Sequence, residues 1–112
     1  MTGSPERRLA NRHRGEIDAM LDGRRYTLCL TLGALAELET AFGATDLAAL
    51  AGRFSEGRLA ATDLVRIIGA GLRGAGETID DAAVARMQAD GGAGGFARIA
   101  SDLLTATFGG EA

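Results

Sequence analysis

The chain has one cysteine, one histidine, one proline, no lysine and no tryptophan, and each shortage excludes something. A single thiol, Cys29, rules out an internal disulfide and fits a reducing bacterial cytoplasm. One histidine, His13, with one cysteine cannot supply the convergent ligands of a zinc site. No apolar run approaches the ~20 residues that cross a bilayer. The early arginines are not followed by an apolar stretch of signal-peptide type. No repeat of solenoid period is visible.

What is present points to one small helical domain. A length of 112 residues supports a single core. The apolar fraction of 46% is that of a folded protein, and much of it is Ala and Leu, both strong helix formers. Seventeen glycines loosen the chain, which predicts modest stability. All twelve basic residues are arginine, and the net charge is −3. An acidic chain lacks the phosphate-neutralising surface of a dedicated nucleic-acid binder. The cluster Arg7, Arg8, Arg12 and Arg14 therefore reads as a solvated tail.

Residues 1–12 carry charge, Gly, Ser and Pro without periodicity and read as a flexible lead-in. The strongest local signal follows. Glu16 to Leu21 and Arg24 to Leu30 both alternate polar with apolar, and Asp22-Gly23 separates them. Both central positions of a type I′ turn need positive φ, so Asp-Gly between alternating runs predicts a hairpin. Pairing Leu21 with Arg24 then sets Ala19 opposite Tyr26 and Ile17 opposite Leu28. These four share a buried face, with Asp18 and Thr27 on the other.

A lone hairpin is not stable in water, so helices must cover it. Thr31 is placed to cap a helix with Leu32, Leu35, Leu38 and Phe42 on one stripe, closed by Gly43. Thr45 or Asp46 caps a second, carrying Leu47, Leu50, Ala51 and Phe54 and ending near Gly57. A third starts near Ala60 to Asp63 and buries Leu64, Ile67, Ile68 and Leu72. A fourth opens at Thr78-Ile79-Asp80-Asp81 and runs through Val84 and Met87. Gly91 to Gly95 reads as a flexible joint. A final amphipathic helix carries Phe96, Ile99, Leu103, Leu104 and Phe108. The fold class is α+β: a hairpin on four to five short helices, with a domain over 13–108 and a short tail at 109–112.

Catalytic signals are weak. Gly69-Ala-Gly71-Leu-Arg-Gly74 is a literal GxGxxG behind the strand-like run Leu64 to Ile68, the arrangement of a dinucleotide-binding turn. However, Gly74-Ala75-Gly76 breaks the chain where the helix should open, and no parallel strands follow. A helix using small residues for close packing accounts for the same letters. Ser4, Ser55 and Ser101 share only the remote His13 as a base. Glu37 and Glu39 lie about 200° apart around a helix and do not face each other. Cys29 reads as a half-buried strand residue. The expectation is no enzyme, no metal and no cofactor.

The run Asn11-Arg-His-Arg-Gly-Glu16 is followed by Leu21-Asp-Gly-Arg24, Tyr26-Thr-Leu28 and Thr31-Leu-Gly-Ala-Leu35-Ala-Glu-Leu-Glu39. With Asp46-Leu47, Asp63-Leu-Val and Gly71-Leu-Arg-Gly74, this order resembles the gene transfer agent family proteins of phage-derived tail gene clusters in alphaproteobacteria. The resemblance spans Asn11 to Phe108. It implies a part in tail morphogenesis, as a tail tube subunit or a tail assembly chaperone, and carries over no catalytic residue. Tube subunits are sheet-rich, because their strands continue from subunit to subunit. One hairpin among helices is too little strand for that, which favours a cytoplasmic chaperone for the tape-measure and major tail proteins, with no nucleic acid or membrane involved. Self-association is compatible with either role. The expected contact surface is Phe96, Ile99, Leu103 and Phe108, rimmed by Arg12 and Arg14.

Overall fold

A computed structural model describes residues 10–11, 14–43 and 60–109. Strand β1 (Glu16–Leu21) pairs antiparallel with β2 (Arg24–Cys29). The register is the one the sequence implies, with Leu21 opposite Arg24, Ala19 opposite Tyr26 and Ile17 opposite Leu28. Asp22 and Gly23 have φ of 54° and 74°, so both turn residues are left-handed as a I′ turn requires. In such a hairpin Leu21–Arg24, Ala19–Tyr26 and Ile17–Leu28 are the hydrogen-bonded pairs. The backbone groups of Glu16, Asp18 and Met20, and of Arg25, Thr27 and Cys29, then point to the two outer edges.

Four helices follow among the described residues: α1 (Leu32–Phe42), α2 (Ala61–Gly74), α3 (Asp81–Ala85) and α4 (Gly92–Leu104), the last running into a π-helical turn, Thr105–Gly109. The fold is α+β. The second helix expected over 45–57, with Leu47, Leu50, Ala51 and Phe54, lies outside the described residues, as do Arg12 and His13.

Helix α2 is the hub. It packs against β2, α1, α3 and α4. Its residues Ile67, Ile68, Gly69, Ala70, Gly71 and Leu72 are all buried, so neighbours enclose the helix over that stretch, while Ala61, Thr62 and Arg66 stay exposed. The run Leu64 to Ile68 imitates a strand through its β-branched residues Val65, Ile67 and Ile68, and yet is helical. The core around it comprises Leu21 and Leu28 from the hairpin, Leu38 from α1, Val84 from α3 and Leu103 from α4, each fully buried.

Helix ends follow local chemistry. Thr31 Oγ1 accepts from the Ala34 N–H at 3.1 Å, and the Gly43 N–H donates to the Glu39 carbonyl at 2.7 Å. Removing that N-cap in Thr31→Ala is expected to cost about 1 kcal/mol in a denaturant titration. Asp63 caps α2 by accepting from the Ala60 N–H at 3.0 Å, and Asp80 caps α3 by accepting from Ala83 at 2.9 Å.

Several expectations are corrected. Leu32 is 86% exposed, because the α1 face on the core is Ala34, Leu35, Leu38 and Phe42. Leu32 lies about 120° around the helix from Leu38. Leu64 is half-buried rather than buried. Helix α3 stops at Ala85, short of Met87, because the next residues turn to the hairpin. The Asp22 N–H donates to the Gln88 carbonyl at 2.8 Å, the Gln88 N–H to Asp22 Oδ1 at 2.9 Å, and Leu21 bridges Ala89. The glycines expected to form a joint are the opening of α4. Gly91 caps it at φ 87°, and a Cβ on Gly95 would collide with the Asp90 carbonyl oxygen. Glycine there permits a tight helix start, which outweighs its poor helix propensity. The α-helix also ends at Leu104, before Phe108.

Candidate protein-interaction site

The three glycines of the GxGxxG run lie inside α2, not at a helix N-terminus, so they present no row of free N–H groups to a phosphate. Each makes room for a neighbour instead. A Cβ on Gly69 would strike Asp81 Oδ1, one on Gly71 would come within 2.6 Å of Leu103 Cδ2, and one on Gly74 would strike the Cys29 carbonyl oxygen. The packing reading of the motif accounts for all three.

Between them stands Arg73. Its Nη2 donates to Glu37 Oε1 at 2.7 Å, and its Nη1 donates to the Ile79 carbonyl at 2.9 Å and pairs with Asp81 Oδ1 at 3.1 Å. One guanidinium thus ties α1, α2, the α2–α3 connection and α3 together. Its pKa is raised above the ordinary value, chiefly by the hydrogen bonds it donates to Glu37, against the opposing effect of partial burial. Glu37 is therefore a structural ion-pair partner.

Cys29 is half-buried, with Sγ 3.7 Å from the Arg14 carbonyl oxygen. Burial first, and the Glu16 carboxylate second, push its thiol pKa up, against a smaller lowering by Arg14. A thiol held protonated is a poor nucleophile at neutral pH. Ser101 is half-buried on α4; Ser4, Ser55 and His13 lie outside the described residues. Among the described residues no three His, Cys, Asp or Glu side chains are grouped to hold a metal ion. No helix there is long and apolar enough to cross a membrane.

An apolar groove of ≈ 160 Å³ lies where α2, α3 and α4 diverge. Ala61, Leu64 and Val65 line it from α2, Val84 and Ala85 from α3, and Ala93 and Phe96 from α4. The i, i+3, i+4 spacing puts the three α2 residues on one face. The groove stays open because α3 is a five-residue helix and α4 begins with Gly92, Ala93, Gly94 and Gly95, which have almost no side chain to fill it. Its floor is the buried Val84; Ala61, Ala85 and Ala93 are exposed at its rim.

The contact residues read from the sequence do not converge. Phe96 lines the groove and Ile99 is half-buried against the core. Leu103 is 0% exposed, so it presents no surface in this conformation. Phe108 is 54% exposed in the π-helical turn, about 18 Å along the axis from Phe96. Arg14 is exposed and lies 3.9 Å from Glu16 Oε2. The groove residues Val65, Ala85 and Ala93 escaped notice in the sequence, since alanines give little contrast between a face and its surroundings. The Ala61, Leu64, Val65 spacing was the available signal.

A family model described as "Phage tail tube protein, GTA-gp10" matches residues 14–110. The chain belongs to this family. No curated protein and no solved structure matches the chain. The GTA-gp10 match covers the hairpin, all four described helices and the groove between them. It places the protein among phage-tail components, whose partners are other proteins of tail assembly, in agreement with the resemblance drawn from the residues.

Proposed function

We propose that this GTA-gp10 family member is a tail assembly chaperone that transiently binds the tape-measure and tail-tube proteins, without catalysis or a cofactor. The observation that carries the reading is the state of the outer edge of β1. Glu16 N–H donates to the Asn11 carbonyl at 3.0 Å at one end, and the Asp22–Gln88 bond and the Leu21–Ala89 bridge close the other. A subunit whose sheet runs on through a tube wall needs a free strand edge on each side. Here the chain's own backbone occupies both ends of one of them, at Glu16 and at Leu21–Asp22. The groove adds an apolar surface of the kind that receives the apolar stripe of a helix.

The test is co-expression with the tape-measure protein encoded in the same tail cluster. The chaperone reading expects the tape measure to stay soluble and co-purify with this chain, and to aggregate without it. Equal solubility of the tape measure alone would sink the proposal. The rival reading, which the family description itself favours, is a structural tube subunit. Rings or tubes formed by the purified protein in electron micrographs would establish that alternative.

A further inference from the structure

The other edge of the sheet is open among the described residues. Beyond the ladder to β1, the backbone groups of Arg25 and Thr27 on β2 have no backbone partner among the described residues. Cys29, at the far end, is covered by Gly74. The strands also differ in charge: β1 carries Glu16 and Asp18, whereas β2 carries Arg24 and Arg25. Arg25 is 55% exposed, and its ion pair with Asp18 is long, at 3.6 Å. Arg24 is exposed and stacks over the Tyr26 ring at 5.0 Å. An unpaired edge with charged side chains resists pairing with its own kind. A second copy joining β2 to β2 with Arg25 opposite its counterpart would set like charges across the strands, which destabilises. The β1 edge of a second copy is closed at both ends.

We infer that the β2 edge at Arg25–Thr27 adds one extended segment of a partner protein that carries carboxylates at alternate positions. The added strand takes up the outward N–H and C=O groups of Arg25 and Thr27. Its carboxylates, all on one face of the added strand, lie beside Arg25, which supplies the specificity that backbone bonds lack. The site lies on the sheet, on different elements from the groove. For the partner's being a tail protein, the inference rests on the function proposed above; the strand addition itself does not.

The probe is a capped nine-residue peptide alternating Glu with Thr and Val, compared with the same peptide carrying Lys for Glu. Both are titrated into the full chain and followed by amide NMR. The acidic peptide is expected to shift the Arg25 and Thr27 amides, slow their hydrogen exchange, and bind at least tenfold more tightly than the lysine peptide. Arg25→Glu, a change at an exposed side chain, is expected to reverse that preference. Thr27→Pro removes an outward N–H without breaking the ladder to β1 and is expected to abolish binding. Equal binding of the two peptides, no binding of either, or protection confined to residues outside β2 would overturn the inference. Because no tail protein enters this experiment, its failure leaves the co-expression test standing. Conversely, loss of the chaperone reading leaves the peptide result intact.

Discussion

Gly74→Ala is expected to lower stability by about 3 kcal/mol or more, near the upper end for overpacking a core. In thermal unfolding that corresponds to a fall of roughly 10–20 °C in Tm for a domain of this size. The added methyl would fall on the carbonyl oxygen of Cys29 and within 3.3 Å of Ala34 Cβ. Neither obstacle is the free end of a flexible side chain, so no rotamer change relieves the overlap. The C-terminal end of α2 must instead draw away from the hairpin. That movement disturbs the contact of Gly71 with Leu28 and Leu103, both fully buried. The control is Gly94→Ala in the first turn of α4, where a Cβ meets nothing within 4 Å. There the same chemical change should stabilise by about 0.5–1 kcal/mol, by reducing the freedom of the unfolded chain and improving helix propensity. A Gly74→Ala protein melting within two or three degrees of the parent would mean that the α2–β2 approach is not as described.

The second large effect falls on binding. The double substitution Ala85→Glu with Ala93→Glu sets two carboxylates on the exposed rim of the apolar groove. Desolvating even one of them under an apolar helix should weaken capture of the tape measure by about 100-fold, or ~2.7 kcal/mol. The fold should tolerate the change. Both positions are solvent-facing. A carboxylate near the N-terminus of α4 is favourable to the helix dipole, and one at the end of α3 costs only a few tenths of a kcal/mol. The expected result is an unchanged melting profile with the tape measure lost to the insoluble fraction. Undiminished co-purification would show that the groove is not the contact surface, and would direct attention to the β2 edge.

The two candidate surfaces differ in kind. The groove lies among helix faces lined by Leu64, Val65 and Phe96, whereas the β2 edge offers backbone groups and the guanidinium of Arg25. A client with a helical stripe and an extended acidic segment would engage both. Salt should weaken the edge contact and spare the groove, because ionic screening acts on the exposed charge and not on apolar burial.

The hairpin is legible in the sequence alone. Alternation fixes which face of a strand is buried, and Asp22-Gly23 fixes the register, so both signals are local and agree. The cap at Thr31 was legible for the same reason, since a side chain three residues away satisfies an orphan N–H, whereas Asp63 and Asp80 were legible only as members of the runs that open their helices. The groove was not. It exists because glycine and alanine at the start of α4 leave a space that only the meeting of three helices encloses.

By itself, then, the sequence determined the α+β class, the strand register, most helix starts and membership of a phage-tail family, because these depend on patterns a few residues long. Only the tertiary structure decided that Leu32 faces water, that Leu103 is core and that the run Gly91 to Gly95 opens a helix. It also decided that three motif-like glycines serve close packing and that the β1 edge is closed at both ends. Those outcomes depend on which surfaces meet across the chain: a residue's exposure is set by the neighbour that covers it, and that neighbour lies tens of positions away.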